Sequence, residues 1–252
     1  MNSKALTYQL IITTMLTIFA TWLFVHFLEI RLVNAMIAVH VVLGSLAFIV
    51  GGVALVAKKG GKLHKLTGRL FFLQMSLSAV FTLIVATIPH HFSTSMFQIS
   101  VMTLYFLFGG VRSLSFKSSA HNYSIDKAFV YLTIIVSIFI LFYAKYLYGG
   151  YQPLQTVFGC LAVGFCLVDL WVFSKSGLAK KRWLVFHLSK MLAGYATSVT
   201  GFFVAQKILG GYFDWFAPTV ITLLYIAYWL VKLKVFRVDG LSTNKRTNPS
   251  NS

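Results

Sequence analysis

Acidic residues are scarce in this chain: five Asp and Glu stand against 22 Lys and Arg in 252 residues, and charged residues of both signs make up only 11%. A water-facing globular surface carries about 25% charged residues, so this chain cannot cover one. With 58% hydrophobic residues and a mean hydropathy of +0.80, a cytosolic enzyme and a disordered chain are both excluded. Cysteine is nearly absent as well. Cys160 and Cys166 lie six residues apart in one apolar run, on different faces of a helix, which suggests neither a disulfide nor a zinc knuckle. Both read as small core residues. Patterns of the H-E-x-x-H and C-x-x-C kind, Gly-rich phosphate loops and a Gly-x-Ser-x-Gly elbow are missing, so hydrolase, kinase and nucleotide-driven transporter readings have no support.

What the chain does have is long apolar runs. A membrane-spanning helix needs about 20 predominantly apolar residues. Eight runs meet or approach that length: 6–28, 35–57, 66–88, 92–111, 128–148, 154–173, 183–209 and 217–235. They are continuous, whereas a membrane β-barrel alternates over about ten residues, so the expected fold is an all-α polytopic bundle of eight transmembrane helices. Turn clusters such as Lys58 to Lys62, Pro89-His90-His91, Gly149 to Pro153 and Gly210-Gly211 separate the runs. Pro218 is expected in the first turn of the last helix. The first run is longer than a signal-peptide core and reads as a retained helix. Residues 1–237 form one helical domain, and 238–252 a polar, disordered tail.

The net charge of +17 looks at first like a nucleic-acid signal, but the basic residues sit between the apolar runs. If the N-terminus is cytoplasmic, one side holds Lys4; Lys58, Lys59, Lys62, Lys65 and Arg69; Arg112, Lys117 and Lys127; Lys175, Lys180, Lys181 and Arg182; and Lys232, Lys234, Arg237, Lys245 and Arg246. These are 18 of the 22, while the other side holds only Arg31, Lys145 and Lys207. Positive charge accumulates on the cytoplasmic side of membrane proteins, so both termini are expected there and no nucleic-acid partner is needed. Tyr146, Tyr148, Tyr151, Tyr212 and Trp215 fit an outer aromatic belt, and Trp171, Trp183 and Trp229 an inner one.

A few polar residues interrupt the runs. His40 lies about 8 Å below the outer surface at 1.5 Å per residue, above a stripe of small residues, Gly44, Ala47 and Gly51. Such a stripe admits either a flat cofactor or a closely packed neighbouring helix. His64 and His187 start the third and seventh runs at the same inner depth. From His187, the residues Lys190, Met191, Gly194, Tyr195 and Ser198 share one helical face that cannot face lipid. Lys190 and Asp169 lie inside the membrane at compatible depths, where a charge costs at least about 2.5–3.5 kcal/mol. They are expected to pair or share a polar cavity; the alternatives are a snorkelling Lys190 and an Asp169 bonded at its helix end. His26, His40, His90 and His91 make an outer set of histidines and His64 and His187 an inner one, a layout that two bis-histidine haems would use.

The stretch HVVLGSLAFIVGGVALVAKKGGKLHKLTG from His40 to Gly68, with WLVFHLSKMLAG from Trp183 to Gly194, TSVTGFFV and the Trp215 to Thr219 segment, resembles a widespread group of bacterial multi-pass membrane proteins classed as a domain of unknown function. The likeness covers most of the second to fourth and the seventh and eighth runs. It marks His40, Gly44, Gly51, His64, Gly68, His187, Lys190, Met191 and Pro218, and many such proteins carry Arg where Lys190 stands. It implies a bacterial inner-membrane protein and no defined activity. Three readings follow. Histidines His40, His64 and His187, with His26 more weakly, are candidate axial ligands of haem b or another metal in a redox protein. Alternatively, the Asp169, His187 and Lys190 face lines a path for a small solute or protons. In the third reading, an accessory or assembly factor uses its polar residues and Gly44, Gly51, Gly68 and Gly194 for helix packing. The partners these imply are the lipid bilayer and a quinone or small solute.

Overall fold

A computed structural model describes residues 30–118, 120–175 and 177–232. Seven long helices run through them: α1 (Ile30–Val56), α2 (Lys62–Val85), α3 (Thr94–Arg112), α4 (Ser124–Tyr148), α5 (Pro153–Ser174), α6 (Trp183–Gln206) and α7 (Tyr212–Lys232). A single helical turn, Leu178–Lys181, precedes α6, and no strand occurs among the described residues. Each helix corresponds to one of the apolar runs from 35–57 onward. The run 6–28, His26 within it and the tail 238–252 lie outside the described residues.

Local chemistry sets the helix ends. Ser93 caps α3, its hydroxyl accepting the Met96 N–H at 3.3 Å. Pro153 opens α5, where its missing N–H leaves no bond unmade. Gly149, at φ 67°, ends α4 in the left-handed conformation that glycine adopts without strain. The expected place of Pro218 was incorrect. Helix α7 starts at Tyr212, so Pro218 falls inside it. The start is fixed by Asp214, whose carboxylate accepts the backbone N–H groups of Leu209 at 2.7 Å and Gly210 at 3.1 Å. An apolar window alone passes over this amphipathic first turn.

Among the described residues, five helical stretches are long and apolar enough to cross a membrane: Leu32–Val56, Lys62–Val85, Thr94–Ser115, Ser124–Tyr148 and Pro153–Ser174. Helix α3 is the hub, packing against α2, α4, α5 and α6; α1 pairs with α2 and touches α6, and α7 rests on α6. Accordingly half of the α3 window is buried against 17% of the α1 window. The main core joins Met102, Tyr105 and Phe106 of α3 to Val130 of α4, Phe158, Ala162 and Cys166 of α5, Leu192 of α6 and Ile226 of α7. Outward-facing positions remain apolar: Val42, Ile49, Phe139 and Ile221 are all more than half exposed. An apolar exterior of this kind is compatible with an integral membrane protein.

Charge divides between the two ends. The connections α1–α2, α3–α4 and α5–α6 and their adjoining turns carry Lys58, Lys59, Lys62, Lys65, Arg69, Arg112, Lys117, Lys127, Lys175, Lys180, Lys181 and Arg182. The α4–α5 and α6–α7 ends carry Lys145 and Lys207. At the basic end, Lys117 stacks on the Trp183 ring at 3.7 Å, tying the α3–α4 connection to the start of α6.

The small-residue stripe of α1 is a helix seam. A Cβ on Gly51 would lie 2.6 Å from the Tyr195 ring and 2.9 Å from that of Phe71, so α1, α2 and α6 meet only because no side chain is present. Gly51→Ala is therefore expected to lower the melting temperature of the detergent-purified protein by several degrees. Gly164→Ala, on the exposed face of α5 where a Cβ meets nothing within 4 Å, should leave it unchanged or raise it, since Ala is favoured over Gly in a helix by up to about 1 kcal/mol. Equal melting curves for the two variants would contradict the tight seam.

Candidate functional site

Three helices converge on a buried ion pair. Asp169 on α5 is 5% exposed and Lys190 on α6 is 3% exposed, and the Lys190 ammonium donates to Asp169 Oδ2. Tyr105 on α3 completes the cluster, its hydroxyl donating to the same oxygen at 2.6 Å while its ring lies 3.6 Å from Lys190 Nζ. Cys166, one turn before Asp169 on α5, is fully buried beside it. The carboxylate thus receives two charge-assisted hydrogen bonds, and the ammonium gains a ring face in addition to its counter-ion. This pairing is what makes two charges tolerable in an apolar interior.

Glycines on α3 let α6 approach closely beside the lysine. Gly109 and Gly110 on α3 face α6: a Cβ at Gly109 would sit 3.4 Å from Lys190 Cδ, and one at Gly110 only 2.7 Å from Met191 Sδ. Lys190 therefore lies along bare α3 backbone on its way to Asp169. Gly194 packs in the same manner against Leu107, at 3.0 Å, and Gly44 against Ser78 Oγ, at 3.2 Å. Gly68, expected to be a packing glycine, differs. A Cβ there meets nothing within 4 Å among the described residues.

The histidines separate into distinct places. His40 is held in the α1–α2 seam, with Nδ1 at 2.8 Å from both Ser78 Oγ and Thr82 Oγ1 and 3.1 Å from the Ser78 carbonyl. The alternative of a flat cofactor in the Gly44–Gly51 stripe is thereby displaced by α2 and Tyr195. His90 and His91 form an exposed turn, and no contact joins them to His40 among the described residues. At the basic end, His64 Nδ1 lies 2.9 Å from the Ala54 carbonyl and His187 Nδ1 2.8 Å from the Gly110 carbonyl. A carbonyl only accepts, so both rings donate from Nδ1, and this bond leaves Nε2 unengaged. His64, Lys59 and Lys117 are all near enough to His187 to act on it electrostatically. His187 bonds α3 rather than the Asp169–Lys190 pair, so the three do not form one cluster. No group of three or more His, Cys, Asp or Glu side chains among the described residues is placed to hold a metal ion.

A second polar cluster was not legible in the sequence. Arg112 Nε and Nη2 donate to Asp126 at 2.6 and 2.8 Å, and His121 Nε2 lies 2.8 Å from the same carboxylate. Ser115 Oγ is 3.0 Å from His121 Nδ1, giving a serine–histidine–aspartate order in space. The hydroxyl, however, donates to the Arg112 carbonyl at 2.6 Å, and Arg112 already neutralises the carboxylate. The network locks the α3–α4 connection over Phe116 and has no activated nucleophile. Burial, and then the Asp126 carboxylate, push the phenol of adjacent Tyr123 above its ordinary pKa. Its sequence signal is the lone acid in a basic loop, placed in the first turn of α4 where the helix dipole favours it.

Removing one partner of the buried pair strands the other charge, at a cost of about 3–5 kcal/mol, whereas removing both can be nearly neutral. Lys190→Met alone is expected to reduce folded yield and thermal stability severely, and Asp169→Leu with Lys190→Met to recover most of both. Size-exclusion profiles and melting curves of the two variants check this; a double variant as damaged as the single one would contradict it.

No family model, no curated protein and no solved structure matches this chain.

Proposed function

We propose that the chain is a multi-pass integral protein of the bacterial inner membrane, crossing it eight times with both ends cytoplasmic, and that His64 and His187 are axial ligands of a b-type haem. Five apolar helices and a charge excess at one end support the membrane assignment. The resemblance of the His40 to Gly68 and Trp183 to Gly194 stretches to bacterial membrane proteins of unknown function supports the compartment. The observation that carries the haem reading is the matched bonding of the two imidazoles. Each gives its Nδ1 proton to a backbone carbonyl, from Ala54 and Gly110 respectively, at the same end of the bundle. Metal-ligating histidines are oriented in this way, since the second-shell bond fixes the tautomer and presents Nε2 to the metal.

The donor set fits. Two imidazoles suffice for an iron whose other four ligands come from its macrocycle. When bound, a haem supplies one-electron transfer. The chain's part is to hold both rings in register: α1 through the Ala54 carbonyl and α3 through that of Gly110. His40 has no such part, because it stands 14 residues before Ala54 on α1, about 21 Å from the carbonyl that holds His64 at 1.5 Å per residue.

The transport reading through Asp169, His187 and Lys190 has less support. Asp169 and Lys190 are sealed by Tyr105, Cys166 and Phe106, and His187 bonds elsewhere. A sealed pair serves packing better than passage.

The absorption spectrum of protein purified from haem-replete cells tests the assignment. A Soret band with dithionite-sensitive α and β bands is expected, lost in His64→Ala and in His187→Ala and retained in His40→Ala. A colourless preparation, or a spectrum indifferent to His64 and His187, would overturn it.

A further inference from the structure

Away from the ion pair and the basic end, two glutamines are enclosed entirely within the bundle. Gln98 on α3 is 0% exposed and Gln155 on α5 is 1% exposed. Each amide is bonded on one side only. Gln98 Nε2 donates to Ser137 Oγ on α4 at 2.9 Å, and Gln155 Oε1 accepts from Ser95 Oγ on α3 at 3.5 Å. The remaining atoms, Gln98 Oε1 and Gln155 Nε2, meet no partner among the described residues. One needs a donor and the other an acceptor. A buried polar atom left unpaired costs about 1–3 kcal/mol, so both atoms call for an explanation.

Their placement supplies one. Ser95 and Gln98 are three residues apart on α3, hence on one face, so the Gln155 amide that meets Ser95 lies alongside the Gln98 face. Gly159, one turn after Gln155 on the same face of α5, is buried, yet a Cβ built on it meets nothing within 4 Å among the described residues. Buried glycines elsewhere in the bundle are crowded: at Gly110 and Gly194 a Cβ would be 2.7 and 3.0 Å from its nearest neighbour. Gln155 thus stands beside a space at least as large as a carbon atom. The hydroxyl of Ser137 adds a third polar group, since its proton has no acceptor among the described residues.

We propose that Gln98, Gln155 and Ser137 bind an internal water molecule that joins α3, α4 and α5. The water donates to Gln98 Oε1 and accepts from Gln155 Nε2, and its remaining capacity is met by the Ser137 hydroxyl. Two to four polar partners are what a buried water needs, and three are present. The site also gives α5 a second interior anchor. Gln155, Gly159, Ala162, Cys166 and Asp169 recur at helical spacing along one face, so Gln155 holds one end of that face and the Asp169 ion pair the other, about 21 Å away at 1.5 Å per residue.

Water-edited solid-state NMR of the ¹⁵N-labelled protein in lipid reads the site directly, without a variant. Magnetisation transfer from water to the side-chain amide of Gln98 or Gln155 is expected, and its loss in Gly159→Ala, where the added methyl takes the space, but not in Gly164→Ala. Silence at both amides in the unmodified protein would overturn the proposal. Melting curves give an independent sign. Gln98→Leu and Gln155→Leu should each lower the melting temperature if the amides hold water. A rise in both would mean that the amides are dry and their removal relieves an unpaired group.

Discussion

The cost of an unpaired polar group in apolar surroundings governs this molecule. A helix bundle with apolar residues both inside and outside gains little direction from hydrophobic burial, because either face of a helix is equally content with its neighbour. Polar side chains are what fix which face points inward. Asp169 and Lys190 do this for α5 and α6, and Tyr105 brings α3 to the same point. The bare backbone at Gly109 and Gly110 is part of that arrangement, since a side chain at either position would meet Lys190 or Met191. Electrostatics and close packing therefore act at one place.

The same rule recurs on a smaller scale wherever helices meet. His40 pins α1 to α2 through Ser78 and Thr82, His64 ties α2 back to α1, and His187 ties α6 to α3. Lys59 turns its ammonium onto the last carbonyls of α1, where the helix dipole favours a cation, and burial lowers its pKa from the ordinary lysine value. Among the described residues, the three aspartates are all committed: Asp126 to Arg112 and His121, Asp169 to Lys190, and Asp214 to the start of α7. Most of the basic side chains among the described residues gather at one end of the bundle, an arrangement suited to residues facing anionic headgroups.

Much of this was legible in the sequence, for a physical reason. Helix positions follow from continuous apolar length, a local property, and every run from 35–57 onward appears as a helix. The Asp169–Lys190 pairing was legible because depth in a helix can be counted from its end and a lone intramembrane charge is costly. Side-chain partners set by three-dimensional packing were not. Tyr105 reads as one more aromatic in an apolar helix, and nothing in the spacing of Arg112, Ser115, His121 and Asp126 reveals that the connection folds them together. The stripe beneath His40 illustrates the limit: small residues signal a close approach without saying what approaches, and the occupant is α2 with Tyr195.

The most direct test of a bundle that spans a membrane with its basic end inside is labelling of single cysteines in intact cells. With Cys160 and Cys166 replaced, Lys62→Cys at the start of α2 and Lys145→Cys near the end of α4 place thiols at opposite ends. A membrane-impermeant maleimide should label the second and leave the first untouched until the cells are permeabilised. Equal labelling of both in intact cells, or labelling of the first alone, would contradict the membrane orientation on which the reading of the charge rests.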